Sequence, residues 1–224
     1  MTNCVLTLDQ ELEAADEFAR CAELSDLVCI FDPTVQVVEF PRDVDPVIAT
    51  YLEQCIAGSG FGMGLRHNLS PFAPLNPDCF PDLPGRAAFV HDIYQLALLY
   101  IDLMGCDAAG ARLEVIEKTM CPRFHVDRVG IRMLCSYRGP GTEILDSRHA
   151  NRSCLGSGAN GLPDESSGLL REAGEIQRLA PFSVVLLKGS LWQGNAGRGV
   201  IHRSPAIGAG EAPRILLAVD AIWD

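Results

Sequence analysis

Cys121-Pro122-Arg123-Phe124-His125-Val126-Asp127-Arg128 stands at the point where the chain changes texture. From Arg112 onward, short β-prone runs separated by turn residues replace the longer periodic stretches upstream, which is the pattern of a sandwich or barrel. The runs are Leu113 to Met120, Arg123 to Asp127, Ile131 to Tyr137, Phe182 to Leu187, Gly199 to His202 and Arg214 to Val219. In a strand, residues i and i+2 share a face, so His125 and Asp127 point to one side while Phe124 and Val126 turn to the other.

Working back toward the N-terminus, the spacing predicts three helices. Asp9 to Leu24 has an acidic first turn and apolar positions Leu12, Ala15, Phe18, Ala19 and Ala22 at helical intervals. Asp45 before Pro46 reads as a cap with proline at the first helical position, and that helix stops at Gly58. Arg86 to Met104 carries Phe89, Ile93, Leu96, Ala97, Tyr100 and Leu103 on a wide stripe and is closed by Gly105. Between the last two, Gly58 to Pro84 is so dense in glycine and proline that no regular element is expected, and its role is left open. Ser147 to Gly174, rich in Gly, Ser, Asn and Arg, reads as a long loop inserted between strands. Helices first and strands later make the fold class α+β. The expected arrangement is a single domain over 1–224, with 1–110 a mainly helical layer and 111–224 the strand-built core; 224 residues suit one domain.

One imidazole and one carboxylate on the same face can grip a metal but do not complete a site. His202, on the short apolar run Val200-Ile201-His202, is the natural third ligand. Two His and one carboxylate form the facial triad of non-haem Fe(II) oxygenases, which leaves coordination positions open. Twelve residues further on, Arg214 opens the apolar strand Ile215-Leu216-Leu217-Ala218-Val219. A guanidinium there can hold a carboxylate with its planar fork. His91 reads as an ordinary helix residue, and His67 and His149 as loop histidines able to touch a substrate.

In the order His125-x-Asp127, Ser136-Tyr137, Gly139-Pro140-Gly141-Thr142-Glu143, Lys188-Gly189, His202 and Arg214, the second half resembles the Fe(II)/2-oxoglutarate-dependent dioxygenases, in particular their prolyl-hydroxylase-like branch. The blocks CPRFHVD, YRGPGTE, KG and HRSP are also similar to those of a bacterial family of unknown function, some of whose members are associated with zinc homeostasis. The resemblance covers residues 112 to 222. It implies a double-stranded β-helix, a jelly-roll or cupin-like barrel, with His125, Asp127 and His202 on Fe(II) and Arg214 on the far carboxylate of 2-oxoglutarate. It also implies Tyr137 as a hydroxyl contact to that co-substrate. Arg203-Ser204-Pro205 after the distal histidine departs from the pattern and leaves Arg203 as a substrate contact or a competing anchor. The oxidised substrate would be a small molecule or a protein side chain.

A zinc site built from Cys121, His125, Asp127 and His202 in a metal-handling protein is the alternative, since thiolate with imidazole suits zinc. In a strand Cys121 and His125 would stand about 13 Å apart, so Pro122 would have to turn the chain. A catalytically inactive, ligand-binding barrel is a third reading. The other cysteines of the nine form no CxxC pair and read as small buried hydrophobes. With 18 basic against 29 acidic residues and a net charge of −11, neither nucleic acid nor an anionic membrane is an expected partner. No unbroken apolar run of spanning length and no signal-peptide layout is visible, so the expected location is cytoplasmic.

Overall fold

The computed structural model describes residues 17–58, 64–171, 176–208 and 210–223. Ten strands are present among them: β1 (Phe18–Arg20), β2 (Val37–Phe40), β3 (Leu65–Leu69), β4 (Ala108–Ile116), β5 (Ile131–Arg138), β6 (Glu143–Leu145), β7 (Ile176–Arg178), β8 (Val184–Lys188), β9 (Ile201–Arg203) and β10 (Arg214–Ile222). They form a seven-stranded sheet in the order β1-β2-β8-β5-β10-β4-β3 and a three-stranded sheet in the order β7-β6-β9. All pairings are antiparallel except β1 with β2.

Two α-helices lie on one face of the large sheet. In α1 (Pro46–Ala57) the Asp45 carboxylate accepts from the amides of Val47 and Ile48, which satisfies donors that a helix start otherwise leaves bare. α2 (Arg86–Met104) ends at Gly105, whose φ of 65° is left-handed backbone that a side chain would strain. At 19 residues α2 is long enough to cross a bilayer, yet its stripe of Phe89, Ile93, Leu96, Ala97 and Tyr100 is buried inside the protein. Facing it are Met133, Cys135 and Tyr137 of β5 and Ile215, Leu217 and Val219 of β10. On the opposite face, Leu134 of β5, Leu216 and Ala218 of β10, and Val185 and Leu187 of β8 meet Ile144, Leu179 and Val200 from the small sheet and its flanks. The core is therefore two layers separated by the seven-stranded sheet, and the architecture is mixed α+β with a sheet-rich centre.

The first half contributes strands as well as helices. Of the expected helix over 9–24, residues before 17 lie outside the described residues; Phe18–Arg20 is a strand pairing with Val37 to Glu39, because an available sheet edge outweighs weak helical spacing. Glycine and proline flank Leu65–Leu69 without interrupting it, so β3 forms inside the segment expected to be irregular, and His67 stands on that strand and not in a loop. Three strands before residue 110 join the same sheet as those after it, so the helical-layer boundary at 110 does not hold. Residues 147–171 carry short 3-10 turns and one isolated bridge between Ala150 and Leu170, in line with the expected loop.

Candidate metal centre

Arg123 to Asp127 forms no full strand. A single bridge joins His125 to His202, with the His125 amide donating to the His202 carbonyl at 3.0 Å and the His202 amide donating back at 2.9 Å. This reciprocal pair is enough to set the two imidazoles side by side, with ring centroids 4.5 Å apart. Asp127, two residues on, completes a group whose ligand atoms all lie within 4.8 Å of one another. His125 Nε2 is 3.4 Å from Asp127 Oδ1, and His202 Nε2 is 3.5 Å from Oδ2.

The orientation of both rings is fixed from behind. His125 Nδ1 donates to the Arg123 carbonyl at 2.9 Å, and His202 Nδ1 to the Val200 carbonyl at 3.1 Å. Such bonds place the remaining lone pair on Nε2, where a metal would take it. Burial pushes the Asp127 carboxyl up, but hydrogen bonds to His125 and His202 and the charge of Arg132 outweigh it and hold the group well below the usual carboxylate range. The Asp127 carboxylate raises the affinity of His125 for a proton. Arg132 donates to Asp127 Oδ2 and is itself gripped by Asp220, Nε to Oδ1 and Nη2 to Oδ2 both at 2.7 Å. The ligand carboxylate is thus aimed by an arginine that has its own fixed counter-ion.

Arg214 is 1% exposed and faces the interior between the two sheets. Its Nη2 donates to Ser136 Oγ and Thr142 Oγ1, both at 2.9 Å, and its Nη1 to Ser204 Oγ at 3.3 Å. Among the described residues no carboxylate pairs with it, and its buried Nε has no hydrogen-bond partner. Burial pulls its pKa down to about 10. A buried cation held only by hydroxyls costs several kcal/mol of desolvation, on the order of magnitude found for unpaired buried ions, and an incoming anion offsets that cost. Gly141 lets this wall form: a Cβ there would lie 1.9 Å from the Leu179 carbonyl oxygen. Ser136, Thr142, Ser204 and Arg132 are missing from the sequence-derived set, although the period of two along β5 puts Ser136 on the inward face.

Three expected site residues stand elsewhere. Tyr137 points to the helix face: its hydroxyl donates to Asp92 Oδ2 at 2.5 Å and its ring meets Phe89 edge-on at 5.0 Å. Burial raises that phenol well above its ordinary value. Arg203 donates to Glu143 at 2.8 Å and Glu165 at 3.0 Å and stacks 4.3 Å from the Phe124 ring centroid, so its charge is already neutralised. Exposed Cys121 is absent from the group of converging ligand atoms, which removes the four-ligand zinc set.

The family of proteins of unknown function called DUF1826 matches residues 22–220. The chain belongs to that family. No curated protein matches the chain in sequence. Among solved structures, dioxygenase for auxin oxidation 1 from Arabidopsis thaliana, in a binary complex with 2-oxoglutarate, superposes with a TM-score of 0.51 at 14% identity, over 94% of this chain and 93% of that one. The rice dioxygenase for auxin oxidation gives 0.48 at 14% identity over 93% and 83%, and a Pseudomonas putida prolyl-4-hydroxylase 0.46 at 9% identity over 90% and 100%. The likeness to the Arabidopsis protein is one of fold.

Proposed function

We propose that this DUF1826 chain is an Fe(II)- and 2-oxoglutarate-dependent oxygenase built on a double-stranded β-helix. The observation that carries the reading is buried Arg214, lacking a carboxylate partner among the described residues and facing the same inter-sheet interior as the His125–Asp127–His202 group. Two imidazole nitrogens and one carboxylate suit a divalent first-row metal, and three ligands leave room for a chelating co-substrate. His125 Nε2, Asp127 and His202 Nε2 would hold the metal, and the tautomers fixed by Arg123 and Val200 carbonyls support that role. Bound Fe(II) would supply oxygen activation coupled to decarboxylation of the keto acid.

The protein's own part is positioning. Arg214 binds the far carboxylate of 2-oxoglutarate through a charge-assisted fork, with Ser136 and Thr142 steadying the guanidinium. Arg132, braced on Asp220, keeps the Asp127 carboxylate turned toward the metal. The apolar interior of Leu134, Ile144, Val185 and Leu216 keeps water away from the reacting groups. The oxidised substrate is a C–H bond of a small molecule or a protein side chain.

The test is an anaerobic titration of 2-oxoglutarate into protein loaded with Fe(II). A visible charge-transfer band, with a stabilisation of about 2 to 3 kcal/mol near 100 times the dissociation constant, is expected. Neither band nor stabilisation, with zinc held tightly at the same three ligands, would overturn the reading in favour of metal handling.

A further inference from the structure

A second cavity, of about 780 Å³, is walled by the 147–153 segment, residues 196–198, Arg171 and Glu17. Among the described residues, four arginines line it, Arg148, Arg152, Arg171 and Arg198, against one acid, Glu17. In a chain of net charge −11 with only 18 basic residues, this concentration runs against the overall field. Its wall residue Ala150 packs with Leu145 and Ile201 on the outer face of the small sheet, whereas Ile144 belongs to the inter-sheet core and its cross-strand partner His202 to the metal group. The cavity and the metal centre are thus on different sides of that sheet.

The charge balance of the lining is uneven. Arg148 is paired with Asp146 at 2.6 Å, and Arg198 reaches Glu17 at 3.8 Å. Arg152 and Arg171 have no acid at ion-pair distance among the described residues. Arg152 spends Nη2 on Ser147 Oγ and the Gly199 carbonyl, at 2.5 and 2.7 Å, which holds the guanidinium in place and leaves Nε and Nη1 without a protein acceptor among the described residues. Arg198 Nη2 is buried and has no hydrogen-bond partner. Burial and the neighbouring charge of Arg198 lower the Arg152 pKa against the opposing pull of Glu17. Two guanidiniums without an ion-pair partner among the described residues match the charge of about −1.5 to −2 on a phosphate monoester at neutral pH. The volume lies in the range of about 300 to 1,000 Å³ typical of small-molecule sites, and the acidic remainder of the surface repels extended polyanions.

We infer that this cavity binds a phosphate-bearing small molecule, with Arg152 and Arg171 as its principal contacts and Arg198 behind them. The inference is independent of the metal centre. It is tested by calorimetric titration of the full, metal-free chain with inorganic phosphate and with adenosine 5′-monophosphate at low salt. Saturable binding of either is expected, weakened about tenfold or more in Arg152→Gln and in Arg171→Gln and unchanged in His125→Ala. Arg171 is exposed, so Arg171→Gln tests the contact even where Arg152→Gln impairs folding. Failure of both probes to saturate up to about 10 mM, or undiminished binding in both arginine variants, would overturn it.

Discussion

The two faces of the seven-stranded sheet are made by the same strands and solve opposite problems. Toward the helices, Met133, Cys135, Tyr137, Ile215, Leu217 and Val219 bury hydrocarbon and aromatic rings against α2. Its charged groups find partners: Tyr137 and Arg42 close on Asp92, and the Lys188 ammonium donates to the Asp32 and Val35 carbonyls at 2.6 and 2.7 Å. One residue along each strand, the inward face carries Arg132, Ser136, Arg214 and Asp220, and there a buried guanidinium has only hydroxyls for company. The comparison teaches that hydrocarbon packing and unpaired charge are divided by strand parity: the helix face pairs its charged groups within the chain, and the inward face holds a guanidinium with no carboxylate partner among the described residues beside three converging metal-ligand side chains.

That division can be broken by substitution, and the largest effect belongs to the helix face. Phe89→Ala, at a side chain with no exposure and three aromatic neighbours among the described residues, should cost about 3 to 5 kcal/mol in denaturant unfolding while the folded fraction keeps its metal affinity. Arg214→Met should act with the opposite sign. Replacing an unpaired buried charge by a hydrocarbon of similar length is expected to stabilise the metal-free protein by about 1 to 4 kcal/mol, read as a raised Tm. A lowered Tm would mean that the three hydroxyls already compensate the guanidinium.

Neighbouring residues of β5 sharpen the contrast. Tyr137→Phe removes a hydrogen bond to a charged partner and should destabilise by about 1.5 to 3 kcal/mol with 2-oxoglutarate affinity unchanged. Ser136→Ala should leave stability within about 1 kcal/mol and weaken 2-oxoglutarate binding severalfold, measured on the Fe(II)-loaded protein without oxygen. Reversal of that pair of results would put the co-substrate on the helix face.

The same parity explains what was legible in the sequence. His125, Asp127 and His202 could be grouped because a period of two and a short apolar run are local signals, and the structure brings all three together. Arg214 was legible as a charge opening an apolar strand. Ser136 and Tyr137 are adjacent and both carry hydroxyls; the period of two puts them on opposite faces, and which face turns inward is set by the packing of β5 between β8 and β10. Tyr137 was selected and lies on the helix face, against Asp92 and Phe89. Arg203 and Arg214 are likewise indistinguishable as isolated cations; Glu143 and Glu165, 60 and 38 residues distant in sequence, neutralise the first. α1 and α2 announced themselves through Asp45-Pro46 and Gly105, whereas β1 and β3 exist because strands far along the chain offer them an edge.

The most direct test of the account is the affinity of the Fe(II)-loaded, oxygen-free protein for 2-oxoglutarate and for pyruvate, which lacks the second carboxylate, in the native chain and in Arg214→Met. The account predicts that the native chain prefers 2-oxoglutarate by about 2 to 3 kcal/mol, roughly 30- to 150-fold, and that Arg214→Met abolishes the preference by weakening 2-oxoglutarate alone. Equal preference in both proteins would contradict it, since the buried guanidinium would then hold no carboxylate.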